Sequence, residues 1–328
     1  MLGASMQVAL WLSTQYTGGN MKLKHIISTK QFDRRILEEI FAVADRMADM
    51  DRKNACDTSL NCKIMASLFY EPSTRTRFSF EAGMMKLGGQ VISTENASQF
   101  SSAAKGETLE DSIKVVSGFV DIIVLRHPEE GAAARAAKVS SVPIINGGDG
   151  KGEHPSQAAY DLYTILKEHK KVDGLHIGMV GDLLNGRTIH SLIHLLIMYP
   201  RIKLSFCAPQ ELALPETYRA LLKKAEVVFK EYTDLQPMLG TVDVLYVTRI
   251  QKERFHSAQE YDRLKHIYVV DKKSLQKMKK KSIIMHPLPR VGEISQEVDA
   301  DPRAAYFRQA QNGLYVRMAL LEMLLNKK

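Results

Sequence analysis

No stretch of the 328-residue chain approaches the roughly 18 consecutive apolar residues that a membrane-spanning helix needs, so no membrane partner is expected. The one N-terminal apolar patch, Val8 to Leu12, has no Lys or Arg ahead of it and no small-residue cleavage site behind it. It therefore lacks the pattern of a secretion signal. Without any Arg, residues 1–20 also lack the character of a mitochondrial transit peptide, and they are read as a leader ahead of the ordered chain. Cysteine is scarce: Cys56, Cys62 and Cys207 are three in number and show no C-x-x-C spacing. An odd few in a long chain fit reduced thiols in a cytosol-like, cytoplasmic setting and suggest no zinc or redox role.

Several nucleotide and metal signatures are missing as well. Gly150-Lys151 has no preceding glycine at P-loop spacing, and Gly152 stands where a Ser or Thr is required. The loop after His176 to Val180 lacks G-x-G-x-x-G and no ribose-binding acid follows it, which weakens a nicotinamide dehydrogenase reading. His190 and His194 are four apart, but no Glu follows His190 and no third ligand appears, so both are read as packing residues. No metal and no cofactor is expected. The net charge of +8 could suggest nucleic acid. The lysine cluster Lys272, Lys273, Lys277, Lys279, Lys280 and Lys281 carries no interleaved aromatics, however, and reads as a solvated face. Anionic metabolites account for the basic balance equally well. No internal repeat or low-complexity segment is present.

What the sequence does hold is an ordinary globular composition, 45% hydrophobic and 25% charged, at a length that favours two domains of about 150 residues each. Helical periodicity from Gln31 to Met50 marks a scaffold helix. The apolar run Ile64 to Phe69 reads as a buried strand, and Ser73-Thr74-Arg75-Thr76-Arg77 then opens a helix. Hydroxyls and guanidiniums at a helix start, where backbone N–H groups lack partners, make an anion site. A capped surface helix is the alternative, but positive charge in a first turn opposes the dipole. A strand at Val91 and Ile92 gives strand, helix, strand order and hence a parallel sheet. The polar loop Ser93 to Lys105 offers Ser101, Ser102 and Lys105 as anion donors, with a solvated loop as the even alternative.

Asp121 to Leu125 is read as a strand with Arg126 at its carboxyl end. Val142 to Ile145 is another, followed by a glycine-rich turn, Asn146 to Gly150. His154-Pro155-Ser156-Gln157 begins a helix with Pro155 in the first position. Strands at His176 to Val180, Lys203 to Cys207, Val227 to Phe229, Val242 to Val247 and Ser282 to Met285 form a second α/β unit. A stiff His286-Pro287-Leu288-Pro289 loop follows, able to hold carbonyls toward a ligand, and a last helix spans Ala304 to Leu325. Arg75, Arg126, Arg187 and Arg249 each follow a strand in a different strand–helix segment of the chain. That is how an interdomain cleft binds a substrate pair rich in negative charge.

Ser73-Thr74-Arg75-Thr76-Arg77 resembles the carbamoyl phosphate signature of the aspartate and ornithine carbamoyltransferases. Lys105-Gly106-Glu107-Thr108, Arg126-His127-Pro128, His154-Pro155-Ser156-Gln157 and His286-Pro287-Leu288-Pro289 match that family further, in order, from about residue 22 to the C-terminus. The resemblance implies two doubly wound parallel-sheet α/β domains with an active-site cleft between them. Residues 21–153, completed by the C-terminal helix 304–328, would bind carbamoyl phosphate, and residues 154–303 would bind the amino acid. Ornithine enzymes of the family carry His-Cys-Leu-Pro and a Ser-Met-Gly loop; neither is present. Thr248-Arg249-Ile250-Gln251-Lys252-Glu253-Arg254 resembles the aspartate enzymes instead, and two arginines suit two carboxylates.

The resemblance implies carbamoyl transfer to L-aspartate for pyrimidine biosynthesis. Ser73, Thr74, Arg75 and Thr76 would hold the phosphate. Thr76, Arg126 and His154 would donate to the carbamoyl oxygen, and Gln157 with the carbonyls of Leu288 and Pro289 would fix the carbamoyl NH2. Arg187, Arg249 and Gln251 would bind aspartate. Ser101 and Lys105 would enter the neighbouring subunit's site, which implies a homotrimer with shared active sites and places Lys105 against both substrates. Arg77 lies outside these roles and is read as a structural pair. Leu184 and Asn185 depart from the family's Lys and aromatic or His, and Ser156 replaces the commoner Thr. Regulatory chains or a dihydroorotase are candidate partners. Transfer to ornithine, or a silent scaffold that keeps the phosphate pocket, are the competing readings.

Overall fold

The computed structural model describes residues 23–97, 106–250, 257–264 and 267–326. The leader at 1–20 and the expected site residues Ser101, Lys105 and Gln251 lie outside them. The chain divides into two compact units, residues 1–156 with 314–328, and residues 157–313. The expected boundary lay between 153 and 154; this division falls three residues later, within the first turn of the helix Pro155–His169. The C-terminal helix Tyr306–Leu325 is divided at Gly313 rather than assigned whole to the first unit.

The first unit is a four-stranded parallel sheet in the order β2, β1, β3, β4, formed by Ile64–Phe69 (β1), Gln90–Glu95 (β2), Ile122–His127 (β3) and Ile144–Asp149 (β4). The parallel order follows from the crossover helices Thr74–Lys86, Leu109–Ser117 and Ala132–Val139. Alanines of that last helix pack with Ile113, Ile123, Leu125 and Ile144 in one core. The scaffold helix runs Arg34–Arg52, capped where the Asp33 carboxylate accepts the N–H of Ile36 at 2.7 Å, and buries Leu37, Ile40, Phe41, Ala44 and Met47.

Strand β4 differs from its expected form. The glycine-rich turn read at Asn146 to Gly150 is strand as far as Asp149, because the Asn146 and Asp149 side chains satisfy its backbone surroundings. Asn146 Nδ2 donates to the Ile27 carbonyl at 3.0 Å and its Oδ1 accepts from Gly148 N at 2.7 Å. Asp149 accepts from Glu153 N at 2.9 Å and Gly131 N at 3.0 Å. Small glycines let this pleat lie close to β3, with a register shift between Leu125 and His127.

The second unit is a five-stranded parallel sheet in the order β7, β6, β5, β8, β9, from His176–Val180 (β5), Lys203–Cys207 (β6), Val228–Tyr232 (β7), Val244–Val247 (β8) and Ile283–Met285 (β9). The sequence order reverses beside β5, the kind of switch point at whose carboxyl edge ligands bind. Gly181 is needed there. It sits at φ +116°, and a Cβ on it would lie 2.2 Å from the Thr248 carbonyl oxygen, so only glycine lets β5 end against β8. Among the described residues no helix is long and apolar enough to cross a membrane.

Candidate active site

In the first unit the parallel register sets Arg126 on β3 opposite Phe69 on β1. The chain leaving β1 then turns through Tyr70 to Ser73 into the helix Thr74–Lys86. The Tyr70 N–H donates to the Arg126 carbonyl at 2.9 Å, so strand pairing fixes where that helix begins. Ser73 occupies the N-cap position, yet its side chain makes no capping bond. Its hydroxyl therefore does not quench the first-turn N–H groups, which keep their positive end for a ligand. Thr74 and Arg75 are exposed, and Thr76 is buried with 6% of its surface accessible.

Thr76 meets His154, which enters from the far end of the unit's sequence and is 3% exposed. Thr76 Oγ1 lies 3.3 Å from His154 Nε2, and Ser156 Oγ lies 3.5 Å from Nδ1. The conservative Ser at 156 thus reaches the ring. Arg126 donates from Nη1 to the Gly147 carbonyl at 3.2 Å, and its Nη2 stands 3.6 Å from the Glu71 carboxylate. Glu71 was not among the expected site residues. Its sequence signal was its place two residues after the end of β1 and two before Ser73. Below the pair, Glu153 accepts from Ser28 Oγ, Thr29 N and Thr29 Oγ1 at 2.5–2.6 Å, anchoring the segment that carries His154. Burial pushes the Asp149 carboxyl above the usual value, against the hydrogen bonds from Asn146, Glu153 N and Gly131 N.

Arg77 is placed as a structural residue. Its Nη1 donates to Glu95 at 2.8 Å, its Nε is 3.5 Å from Glu81, and its guanidinium lies 5.1 Å from the Phe78 ring centroid.

In the second unit Arg187 is the first residue of the helix Arg187–Leu196 that follows β5, and Arg249 follows β8. Strands β5 and β8 are neighbours, and Thr248 N donates to the Val180 carbonyl at 2.8 Å, so the two arginine-bearing segments leave the sheet side by side. The Asp182 carboxylate accepts from Asn185 N at 2.9 Å, shaping the turn before Arg187. His190 is a packing residue as expected. Its Nε2 donates to the Leu183 carbonyl at 2.8 Å and its ring stacks on Tyr218 at 4.2 Å, while His194 meets the same ring edge-on. Among the described residues no group of three or more His, Cys, Asp or Glu is arranged to hold a metal ion.

Gln157 is buried, and its Nε2 donates to Asp161 Oδ1 at 2.9 Å. The same oxygen accepts from Gln309 Nε2 at 2.7 Å, and Oδ2 accepts from Tyr246 Oη at 2.7 Å. Burial, then the Asp161 charge, push the Tyr246 phenol well above its usual value. Gln309 Oε1 in turn accepts from His286 N at 2.8 Å. After β9, His286 Nδ1 accepts from Leu288 N at 2.7 Å, so Nε2 carries the proton that it donates to Glu293 at 2.7 Å. This pins the loop of Leu288 and Pro289, where Leu288 sits at φ +54° and the Leu288–Pro289 peptide is cis. Asp161, Tyr246 and Gln309 were missed at the sequence level, although Gln157 and Asp161, four apart, share a helix face.

A two-unit parallel α/β chain with an anion-ready helix start in one unit and paired arginines in the other defines a class of transferase. Residues 24–167 match the model of the aspartate/ornithine carbamoyltransferase carbamoyl-P binding domain, and residues 173–324 that of the Asp/Orn binding domain. The chain belongs to the aspartate/ornithine carbamoyltransferase family. It is 52% identical over 305 residues to an Arabidopsis thaliana chloroplastic aspartate carbamoyltransferase, covering 93% of this chain and 78% of that one. Among solved structures, it superposes on the catalytic subunit of M. jannaschii aspartate transcarbamoylase with TM-score 0.88 at 46% identity, covering 93% and 99% of the two chains. The aspartate transcarbamoylase of Trypanosoma cruzi, in complex with N-(phosphonacetyl)-L-aspartic acid, superposes with TM-score 0.84 at 39% identity, covering 92% and 95%.

Proposed function

We propose that this chain transfers the carbamoyl group of carbamoyl phosphate to the amino group of L-aspartate, giving N-carbamoyl-L-aspartate and phosphate, a step of pyrimidine biosynthesis. The observation that carries the reading is the contact of Thr76 with His154 beside an uncapped helix start, in a chain of this family. Ser73, Thr74, Arg75 and the first-turn N–H groups donate to the phosphate, whose charged oxygens are the acceptors. Thr76, Arg126 and His154 donate to the carbamoyl oxygen and stabilise the negative charge that develops in the tetrahedral intermediate.

The aspartate amine, deprotonated, forms the new C–N bond. The C–O bond to phosphate then breaks, and the departing phosphate accepts the amine proton. Gln157 with the carbonyls of Leu288 and Pro289 accepts hydrogen bonds from the carbamoyl NH2. Arg187, Arg249 and Gln251 hold the two aspartate carboxylates. The rate gain rests on orientation and charge stabilisation, with the substrates of both units brought together.

The same reading includes a homotrimer in which Ser101 and Lys105 serve the neighbouring subunit's site, and a cytoplasmic location suited to three thiols without a bridge. Cys56 and Cys62 are exposed, and burial pushes the Cys207 thiol up to about 11. Regulatory chains or a dihydroorotase are candidate further partners. Titration with N-(phosphonacetyl)-L-aspartate tests the substrate pair. The parent chain binds it, and Arg75→Ala and Arg249→Ala each weaken it about 100-fold or more, as loss of a charged contact would. A parent chain that does not bind it contradicts the reading.

A further inference from the structure

A glutamine side chain is almost symmetric in shape, so a site that needs its carbonyl oxygen must prevent the amide from turning over. At Gln157 the structure does this with a directional chain of hydrogen bonds. The His286 N–H is a backbone donor and cannot reverse, so the Gln309 atom it meets at 2.8 Å is Oε1. The other end of that amide, Nε2, must then face Asp161 Oδ1, at 2.7 Å. An oxygen already accepting that N–H meets Gln157 at 2.9 Å, and the Gln157 atom there is Nε2. The remaining Gln157 atom, Oε1, makes no hydrogen bond among the described residues and is left as a free acceptor.

Tyr246 holds the second oxygen of Asp161 from β8, and it also bonds Thr188, next to Arg187. Asp161 has none of its surface accessible, and Tyr246 likewise. A carboxylate so buried is retained only with its partners satisfied, and Gln157, Gln309 and Tyr246 lead to segments that carry expected substrate ligands.

We propose that Asp161 is the positioning residue for carbamoyl recognition: by accepting the Gln157 amide N–H it turns Gln157 Oε1 toward the carbamoyl NH2. Through Gln309 it ties that orientation to the loop of Leu288 and Pro289. It touches no substrate. The inference rests on the carbamoyl phosphate reading above and adds a specificity device to it. Acceptors facing the NH2 separate carbamoyl phosphate from its methyl isostere, acetyl phosphate, which has no N–H to offer. A glutamine turned over would set its own NH2 against the substrate NH2, donor against donor.

The experiment compares carbamoyl phosphate with acetyl phosphate on the full chain and on Asp161→Ala, with acetyl phosphate read as a competitive inhibitor. Asp161→Ala is expected to weaken carbamoyl phosphate about 30-fold more than acetyl phosphate, whereas equal weakening of both marks a merely structural residue and overturns the proposal. Should Asp161→Ala fail to fold, Gln157→Glu decides. Its carboxylate meets Asp161 without a proton, but the pair, flanked by Tyr246 and, through Gln309, by His286 and Glu293, can share one in acid. The added O–H then donates to Asp161 and leaves a carbonyl for the substrate. Relative to the parent at each pH, kcat/KM of Gln157→Glu is expected to rise about 10-fold from about pH 8.5 to about pH 6; a flat ratio overturns the proposal. Turnover by the parent is the control. A parent without carbamoyl transfer rejects the functional reading and this role with it, while an active parent with equal weakening or a flat ratio rejects only the role of Asp161.

Discussion

Thr76 Oγ1 and His154 Nε2 stand 3.3 Å apart although the residues are 78 positions apart in the chain. The parallel register of β1 against β3, and the anchoring of Glu153 by Ser28 and Thr29, bring a helix start and a strand-end segment to one place. Both groups can donate to one developing oxyanion. Thr76→Ala and His154→Ala are each expected to lower kcat about 100-fold to 1,000-fold, the loss typical of one oxyanion donor, with near-UV circular dichroism unchanged. Losses below tenfold in both would remove the oxyanion role from this pair.

Arg77 provides the contrast one residue further along the same helix. Its guanidinium is occupied by Glu95 and Glu81, so it is expected to serve stability. Arg77→Gln should lower unfolding stability by about 1 kcal/mol, as for a partly exposed ion pair, and leave kcat/KM within about threefold. Denaturant titration beside steady-state kinetics measures both. A large loss of activity at unchanged stability would return Arg77 to the site.

Glu293 sets an acid limb of stability in the second unit. Burial alone would raise its carboxyl, but the hydrogen bond from His286 and the Val291 N–H hold it below the usual carboxylate value. A depressed folded value means that the stabilisation is present above the unfolded carboxylate value of about 4.3 and is lost as pH falls through the folded one. Glu293→Gln should therefore lower the unfolding midpoint near pH 7, by about 1.5–3 kcal/mol in stability for a hydrogen bond to a charged group. The gap to the parent should close below about pH 4. A gap independent of pH would show that the ionised carboxylate contributes nothing.

The shared-site trimer is tested by mixing. Lys105→Ala and Arg75→Ala chains, each inactive alone, should regain activity when dissociated and reassembled together, because some sites then draw a native Lys105 from one chain and a native Arg75 from another. Activity that stays absent in confirmed mixed assemblies would mean that each chain supplies its own site.

Much of the fold was legible because long-range order followed from local pattern. The run Ile64 to Phe69 and the hydroxyl-rich helix start after it appear where periodicity placed them, and parallel pairing followed from alternation of strand and helix. The helix Ala132–Val139 escaped because small alanines give a weak apolar stripe, although Gly131, in the left-handed region at φ +82°, marks its start. Residues 146–149 read as a turn because glycine is the strongest breaker in a sequence. What keeps them in the sheet, the side chains of Asn146 and Asp149, shows only in three dimensions. For the candidate site, Thr76, His154 and Arg126 were legible as motif residues. Glu71, Asp161 and Gln309 were not, since each contacts a neighbouring side chain and leaves in the sequence only a lone polar residue near an element.

The reaction itself is the most direct test. Purified chain is mixed with ¹³C-labelled carbamoyl phosphate and either L-aspartate or L-ornithine, and products are followed by NMR with phosphate release measured in parallel. The account predicts N-carbamoyl-L-aspartate and phosphate formed in equal amounts, with no carbamoylation of ornithine above background. Citrulline from ornithine with no product from aspartate would contradict it.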